Sequence, residues 1–231
     1  MEDKSLSIAF SDSLKEDSVA CVSELVEVGL DAILDDGILK DIPIVSTAVA
    51  LYKIGHSINE RHNLKKLLIF LNEINNGIAD KEKRKEYQQK FQSNEKFRNQ
   101  EIEYLLVLID RYISYDKPKF LAKLFLAYLD GSIIWEELTM YAEVIDRFLL
   151  LDFRTLVLCE GTTIVHRNIG GESVWRLVAL GLMAEITDSS PFVQESNGGF
   201  SLAIEGLTRS VSKDKVYKRT EFGDKLAEIL R

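Results

Sequence analysis

From Leu14 to Leu149 apolar residues return at three-and-four spacing, and this period constrains the fold more than any other feature of the chain. Such a stripe buries one face of a helix and leaves the other in water. The first long helix is expected from Leu14 to Leu34, through Val22, Leu25, Val26, Leu30, Ile33 and Leu34. Asp35-Asp36-Gly37 ends it, because glycine takes the left-handed geometry a helix C-terminus wants. Asp41 before Ile42-Pro43 is a start signal: aspartate caps, and proline lacks a donor that the first turn does not use. The stripe continues through Val45, Ala48, Val49, Tyr52, Leu64, Leu67, Leu68, Leu71 and Ile74. That is one long helix or two broken around Gly55 to Asn63, stopped by Asn76-Gly77.

Asp80 to Asn94 is a charged run with Tyr87 and Phe91 as its only large anchors, and reads as a solvated helix. Glu95 to Ile113 is amphipathic through Ile102, Leu105, Leu106, Ile109, Tyr112 and Ile113. Asp116 with Pro118 repeats the cap-and-proline start, with Phe120, Leu121, Leu124, Phe125 and Tyr128 inward and Gly131 at the end. Trp135 to Leu149 follows, burying Leu138, Tyr141, Ile145 and Phe148. A short helix begins at Leu149-Leu150-Leu151-Asp152 and ends at Glu160-Gly161. No 20- to 50-residue repeat recurs, which excludes a repeat array.

The texture changes after Gly161. Thr162 to Val165 is β-prone, and Ser173 is placed to cap a helix reaching Leu182. Strand-like pieces follow at Met183 to Thr187, Phe200 to Ile204 and Lys215 to Thr220, with a polar loop from Ser189 to Gly199 and a closing helix from Glu221 to Arg231. The expected fold class is therefore mostly α: a flexible N-terminus over 1–13, a helical domain over 14–149, and an α+β domain with a small antiparallel sheet over 150–231.

Arg176-Leu177-Val178-Ala179-Leu180-Gly181-Leu182-Met183 resembles the exit of the third helix in winged-helix domains, where a leucine packs and a glycine turns into the wing. Lys218-Arg219-Thr220-Glu221-Phe222-Gly223, after Tyr217, resembles the return from the wing into the last helix. Thr220 can cap that helix, and Gly223 lets it approach the sheet. The resemblance runs from about Leu150 to the end, with one departure: Ser189 to Asp214 exceeds a simple wing and is expected to add a strand. The whole layout is similar to the Abi-alpha type of bacterial abortive-infection protein. That likeness implies a bacterial or phage-associated cytosolic setting, phage defence included, and says nothing of chemistry.

Winged helices bind DNA or protein, so charge matters. The chain carries 29 Lys and Arg against 37 Asp and Glu, a net charge of −8, which opposes a generic nucleic-acid coat or polybasic membrane binder. From Gly161 on, basic and acidic residues balance at nine each. The helix that would enter a major groove brings one basic residue, Arg176, where groove readers bring several Arg, Lys, Asn or Gln side chains. Arg209, Lys213, Lys215, Lys218 and Arg219 complete a candidate contact set for nucleic acid or a partner; a solvated wing edge guarded by lysines is the favoured reading of these last five.

Two cysteines, Cys21 and Cys159, form no framework, which fits a reduced cytosol. The acidic N-terminus lacks a signal-peptide pattern, and the most apolar window, Ile42 to Ile54, is interrupted by Pro43, Ser46, Thr47 and Lys53, short of a spanning helix. Phosphate-loop and dinucleotide patterns are absent; Gly170-Gly171 and Gly198-Gly199 read as turns. His56 and His62 are six apart, not the spacing that puts two ligands on one helix face. Cys159 and His166 lack an orienting group, and Leu156-Val157-Leu158 favours a core thiol. Glu136-Glu137 suits a first turn and Asp35-Asp36 a helix-ending turn; adjacent carboxylates on a helix point apart. We expect no enzyme, no cofactor and no metal. The expected function is a protein-interaction or regulatory module with a protein partner or homo-oligomer. A DNA-binding regulator and a membrane-acting defence effector, the latter through residues 42–58, are the alternatives.

Overall fold

Capping and apolar spacing place the helices of the computed structural model, which describes residues 6–15, 42–44, 46, 58–78, 81–93, 95–159, 164–165, 171–186 and 216–231. The protein is mostly helical with a small antiparallel sheet near the C-terminus. It divides into two compact units, Met1–Arg147 with Leu230, and Phe148–Ile229 with Arg231.

In the first unit α1 spans Leu6–Ser13, α2 Ile58–Gly77, α3 Lys81–Ser93, α4 Glu95–Arg111, α5 Lys117–Leu129 and α6 Trp135–Arg147. The stripe of α2 is buried at Leu64, Leu67, Leu68, Leu71 and Ile74, as its period requires. Phe125 on α5 meets Phe10 edge-on at 5.7 Å and Phe70 at 6.2 Å. Gly131, at φ +77°, closes α5 in the left-handed conformation. Its N–H donates to Tyr128 O, and that of Ser132 to Ala127 O, which satisfies two orphan carbonyls of the last turn. At the start of α6 the Glu137 carboxylate accepts from Ile134 N–H at 3.0 Å.

Several expectations are corrected here. The N-terminal segment is not flexible throughout: α1 buries Ala9 and Phe10, and Ser13 Oγ donates to Ala9 O while accepting from Ile44 N–H. Its core-facing residues include Ser7, Ser11 and Ser13, so its hydropathy hides a buried helix. Leu14 and Lys15 form a turn after α1 rather than opening a helix, and residues 16–34 lie outside the described ones. Asp116 occupies the cap position of α5, yet its side chain caps nothing; its backbone carbonyl accepts from Lys119 and Phe120 instead. Ile113 is 87% exposed, because α4 stops at Arg111 and the helical phase is lost. The charged helix α3 is more than a wet surface. Arg84 donates to the carbonyls of Asn75 (3.1 Å) and Ile78 (2.7 Å) at the end of α2, and Lys90 to Leu129 O (3.1 Å) at the end of α5. Helix C-termini carry unpaired carbonyls and partial negative charge, so both cations sit where they stabilise most.

The second unit runs α7 Leu150–Leu158, β1 Ile164–Val165, α8 Gly171–Ala179, β2 Met183–Ile186, β3 Val216–Arg219 and α9 Glu221–Leu230. The sheet order is β1-β3-β2, antiparallel throughout, with Ile164 opposite Tyr217 and Met183 opposite Arg219. The strand expected at Phe200 to Ile204 lies outside the described residues. Gly181, at φ +74°, ends α8; Leu182 N–H donates to Leu177 O, and both leucines are buried. Thr220 caps α9: Oγ1 accepts from Gly223 N–H at 3.0 Å and donates to Gly181 O at 2.7 Å. A side chain at Gly223 would strike the Leu182 carbonyl, so glycine alone lets α9 lie this close. Ser173 is not a cap. α8 begins two residues earlier, and the hydroxyl is buried against α7.

Candidate functional site

Asp152 organises the second unit. Its side chain is fully buried. One oxygen accepts from Leu149 N–H (2.9 Å), the carboxylate accepts from the Ser173 hydroxyl, and Nε and Nη2 of Arg176 donate to it at 2.8 to 3.1 Å. Burial alone would raise the Asp152 pKa; the hydrogen bonds from Arg176, Ser173 and Leu149 outweigh it and hold the carboxyl below its usual range. The cluster fastens α8 to α7 and fixes the entry into α7.

The structure thus gives Arg176 a structural partner, a two-pronged carboxylate contact with a third of its side chain left exposed. Arg219 is buried too, with Nε 2.7 Å from Asp224 Oδ1 and Nη1 donating to Leu156 O. Lys218 projects into solvent from the central strand. Arg209, Lys213 and Lys215 lie outside the described residues.

The Cys159 thiol donates to Thr155 O at 2.7 Å, and burial pushes its pKa up to about 11, so it is a poor nucleophile at neutral pH. His166, His56 and Cys21 lie outside the described residues, as do Asp35, Asp36, Gly170, Gly198 and Gly199. No group of three or more His, Cys, Asp or Glu could hold a metal among the described residues.

A cavity of about 450 Å³ opens between α2 and the end of α4, lined by His62, Lys66, Asp110 and Tyr112 among others. Its polar groups face one another. Lys66 is buried and donates to Asp110 O (2.8 Å) and Tyr112 O (2.5 Å); desolvation lowers its pKa, with Asp110 opposing. His62 Nε2 meets Ile113 O at 3.0 Å and Nδ1 meets Tyr115 Oη at 2.9 Å. A carbonyl only accepts, so Nε2 bears the proton, and in the neutral ring Nδ1 accepts from the tyrosine. The amide of Asn63 reaches Asp110. These are helix-ending contacts for α4, the same device Arg84 supplies to α2.

The surface that sequence reasoning missed is the outer face of α7. Leu150, Leu151 and Leu158 are 44%, 57% and 70% exposed. Arg154 is exposed between them, while Asp152, Thr155, Leu156 and Cys159 turn inward. On α8 the outward residues are Glu172, Trp175 and Ala179, with Trp175 57% exposed. The signal was present in Leu149-Leu150-Leu151: neighbours on a helix point apart, so three adjacent leucines cannot all enter one core. The chain matches no protein-family model, no curated protein and no solved structure.

Proposed function

We propose that this chain is a non-enzymatic recognition module whose C-terminal unit docks onto protein. One observation carries the reading: α7 offers three solvent-exposed leucines on a single short helix. Large apolar side chains grouped at a surface mark contact sites. Two further facts support it. Arg176 and Arg219, which a groove-binding unit would turn toward phosphates, are held by Asp152 and Asp224. The outward side of α8 carries an acid, an indole and a methyl group, none of which suits a polyanion. Among the described residues no helix is long and apolar enough to cross a membrane. The layout's likeness to abortive-infection proteins suggests a bacterial or phage-associated setting, with regulation or defence as the role.

The test is site-specific photo-cross-linking in the native host. Benzoylphenylalanine at Leu158 is expected to give a discrete protein adduct that the same probe at exposed Glu103 does not give. Labelled duplex DNA, titrated in parallel at low and physiological salt, is expected to show no steep binding. Absence of any adduct at Leu158, together with salt-steep DNA binding that Lys218→Glu removes, would replace this reading with nucleic-acid binding.

A further inference from the structure

We infer that the outer face of α7 receives an amphipathic helix whose apolar stripe carries a carboxylate, seated opposite Arg154. The inference rests on the protein-recognition reading and names the partner's chemistry.

The geometry begins with spacing. Arg154 is four residues after Leu150, three after Leu151 and four before Leu158. Those offsets make side chains neighbours on a helix surface, so the guanidinium stands in the middle of the leucines. Arg154 is exposed and has no ion pair or hydrogen bond among the described residues. That sets it apart from Arg84, Arg98, Arg111, Arg176 and Arg219, each of which has a carboxylate or carbonyl partner. A guanidinium ringed by apolar groups is weakly hydrated and shaped to take a carboxylate at two points. Arginine among large apolar residues is also the usual composition of an energetic contact centre.

The occupant follows by exclusion. α7 is a helix and offers no open strand edge, so an incoming strand has no ladder to join there, and side-chain packing is the mode open. Two α7 faces packed about a two-fold axis would set one Arg154 against the other, which argues against a second copy of this chain. Nucleic acid needs several cations along a track, and this face has one. A helix offering leucine-sized side chains around one Asp or Glu satisfies both the apolar area and the charge.

The probe is a displayed library of amphipathic 16-residue helices with the stripe positions randomised, selected on the full-length protein. Selected peptides are expected to carry Asp or Glu between two large apolar residues. Their affinity is expected to fall at least about tenfold for Arg154→Glu. A Lys or Arg in place of the peptide acid is expected to restore binding to that variant. Arg154 is a surface residue, so thermal melts of wild type and variant are expected to superimpose. Binders without acidic enrichment, binders indifferent to Arg154→Glu, or no binders at all would overturn the inference. A protein adduct at Leu158 alongside any of those results would leave the recognition reading standing and remove only the acidic-helix chemistry. Vesicles of phosphatidylglycerol and phosphatidylcholine form the last arm: binding to them that Leu158→Asp abolishes, with no selected peptide, would assign the face to a lipid surface instead.

Discussion

Replacing Gly223 by alanine adds one methyl group at the tightest approach in the second unit. The new Cβ would lie 2.1 Å from Leu182 O and 2.9 Å from its carbonyl carbon, where unstrained contacts begin beyond 3 Å. Backbone cannot rotate aside as a side chain does, so α9 must retreat by roughly 1 Å. The Thr220 N–H···O=C Leu182 bond, now 3.0 Å, would be lost in that retreat. The lost bond costs about 1 kcal/mol. Disturbed packing adds about 1–3 kcal/mol. The better helix propensity of alanine returns about 1 kcal/mol. The net expectation is destabilisation by about 1–3 kcal/mol. Gly77→Ala is the matched control. Its Cβ would lie just as close, 2.3 Å, but to the terminal methyl of half-buried Leu126, which can rotate away. That variant is expected within about 1 kcal/mol of wild type. Urea melts followed by fluorescence separate the units, since Trp175 reports the second and Trp135 the first; a Trp135→Phe background isolates Trp175. Wild-type stability for Gly223→Ala, or an equal loss for Gly77→Ala, would refute the steric argument.

Asp152→Asn should destabilise the second unit by about 2 kcal/mol at pH 7, less than for a fully buried pair because Arg176 keeps contact with water. The native carboxyl titrates below its unfolded value, so its stabilisation is full above about pH 4 and disappears as pH falls through the native value. Urea midpoints of the two proteins should therefore converge in acid, and a constant gap down to pH 2 would contradict the assignment. In a Cys21→Ser background Cys159 should resist Ellman's reagent at pH 8 until urea unfolds the second unit, since its thiolate is scarce and its sulfur enclosed. Rapid labelling of the folded protein would contradict that burial.

The helices were legible where burial has a period. Leu64 to Ile74, Phe120 to Phe125 and Leu138 to Phe148 announce their inward faces, and Gly131, Gly181 and Thr220 announce their turns. What stayed hidden is polar and distant in sequence. Arg84 is an ordinary cation in a charged run until the end of α2 is placed beside it. Asp152 and Arg176 are 24 residues apart, so no local pattern pairs them, and Arg176 read as a candidate contact to nucleic acid or a partner. The candidate surface was half legible: the leucine triplet shows that something apolar must face outward, but which leucines do so depends on where Asp152 fixes the start of α7. Ser-rich α1 was invisible because serines alternate with Ala9 and Phe10 on its buried side and break the apolar stripe.

The antiparallel pairing of β2 with β3 has a practical side. Ile186 and Val216 face each other across the ladder, so the chain leaves and re-enters the sheet at adjacent points. The hairpin's opposite end, where β2 begins and β3 finishes, is latched by Thr220 on Gly181 and Leu182. A two-residue Asn-Gly reverse turn, the shortest link that antiparallel strands accept, would therefore bridge Ile186 to Val216. Such a turn would hold β2 and β3 in the register they already have.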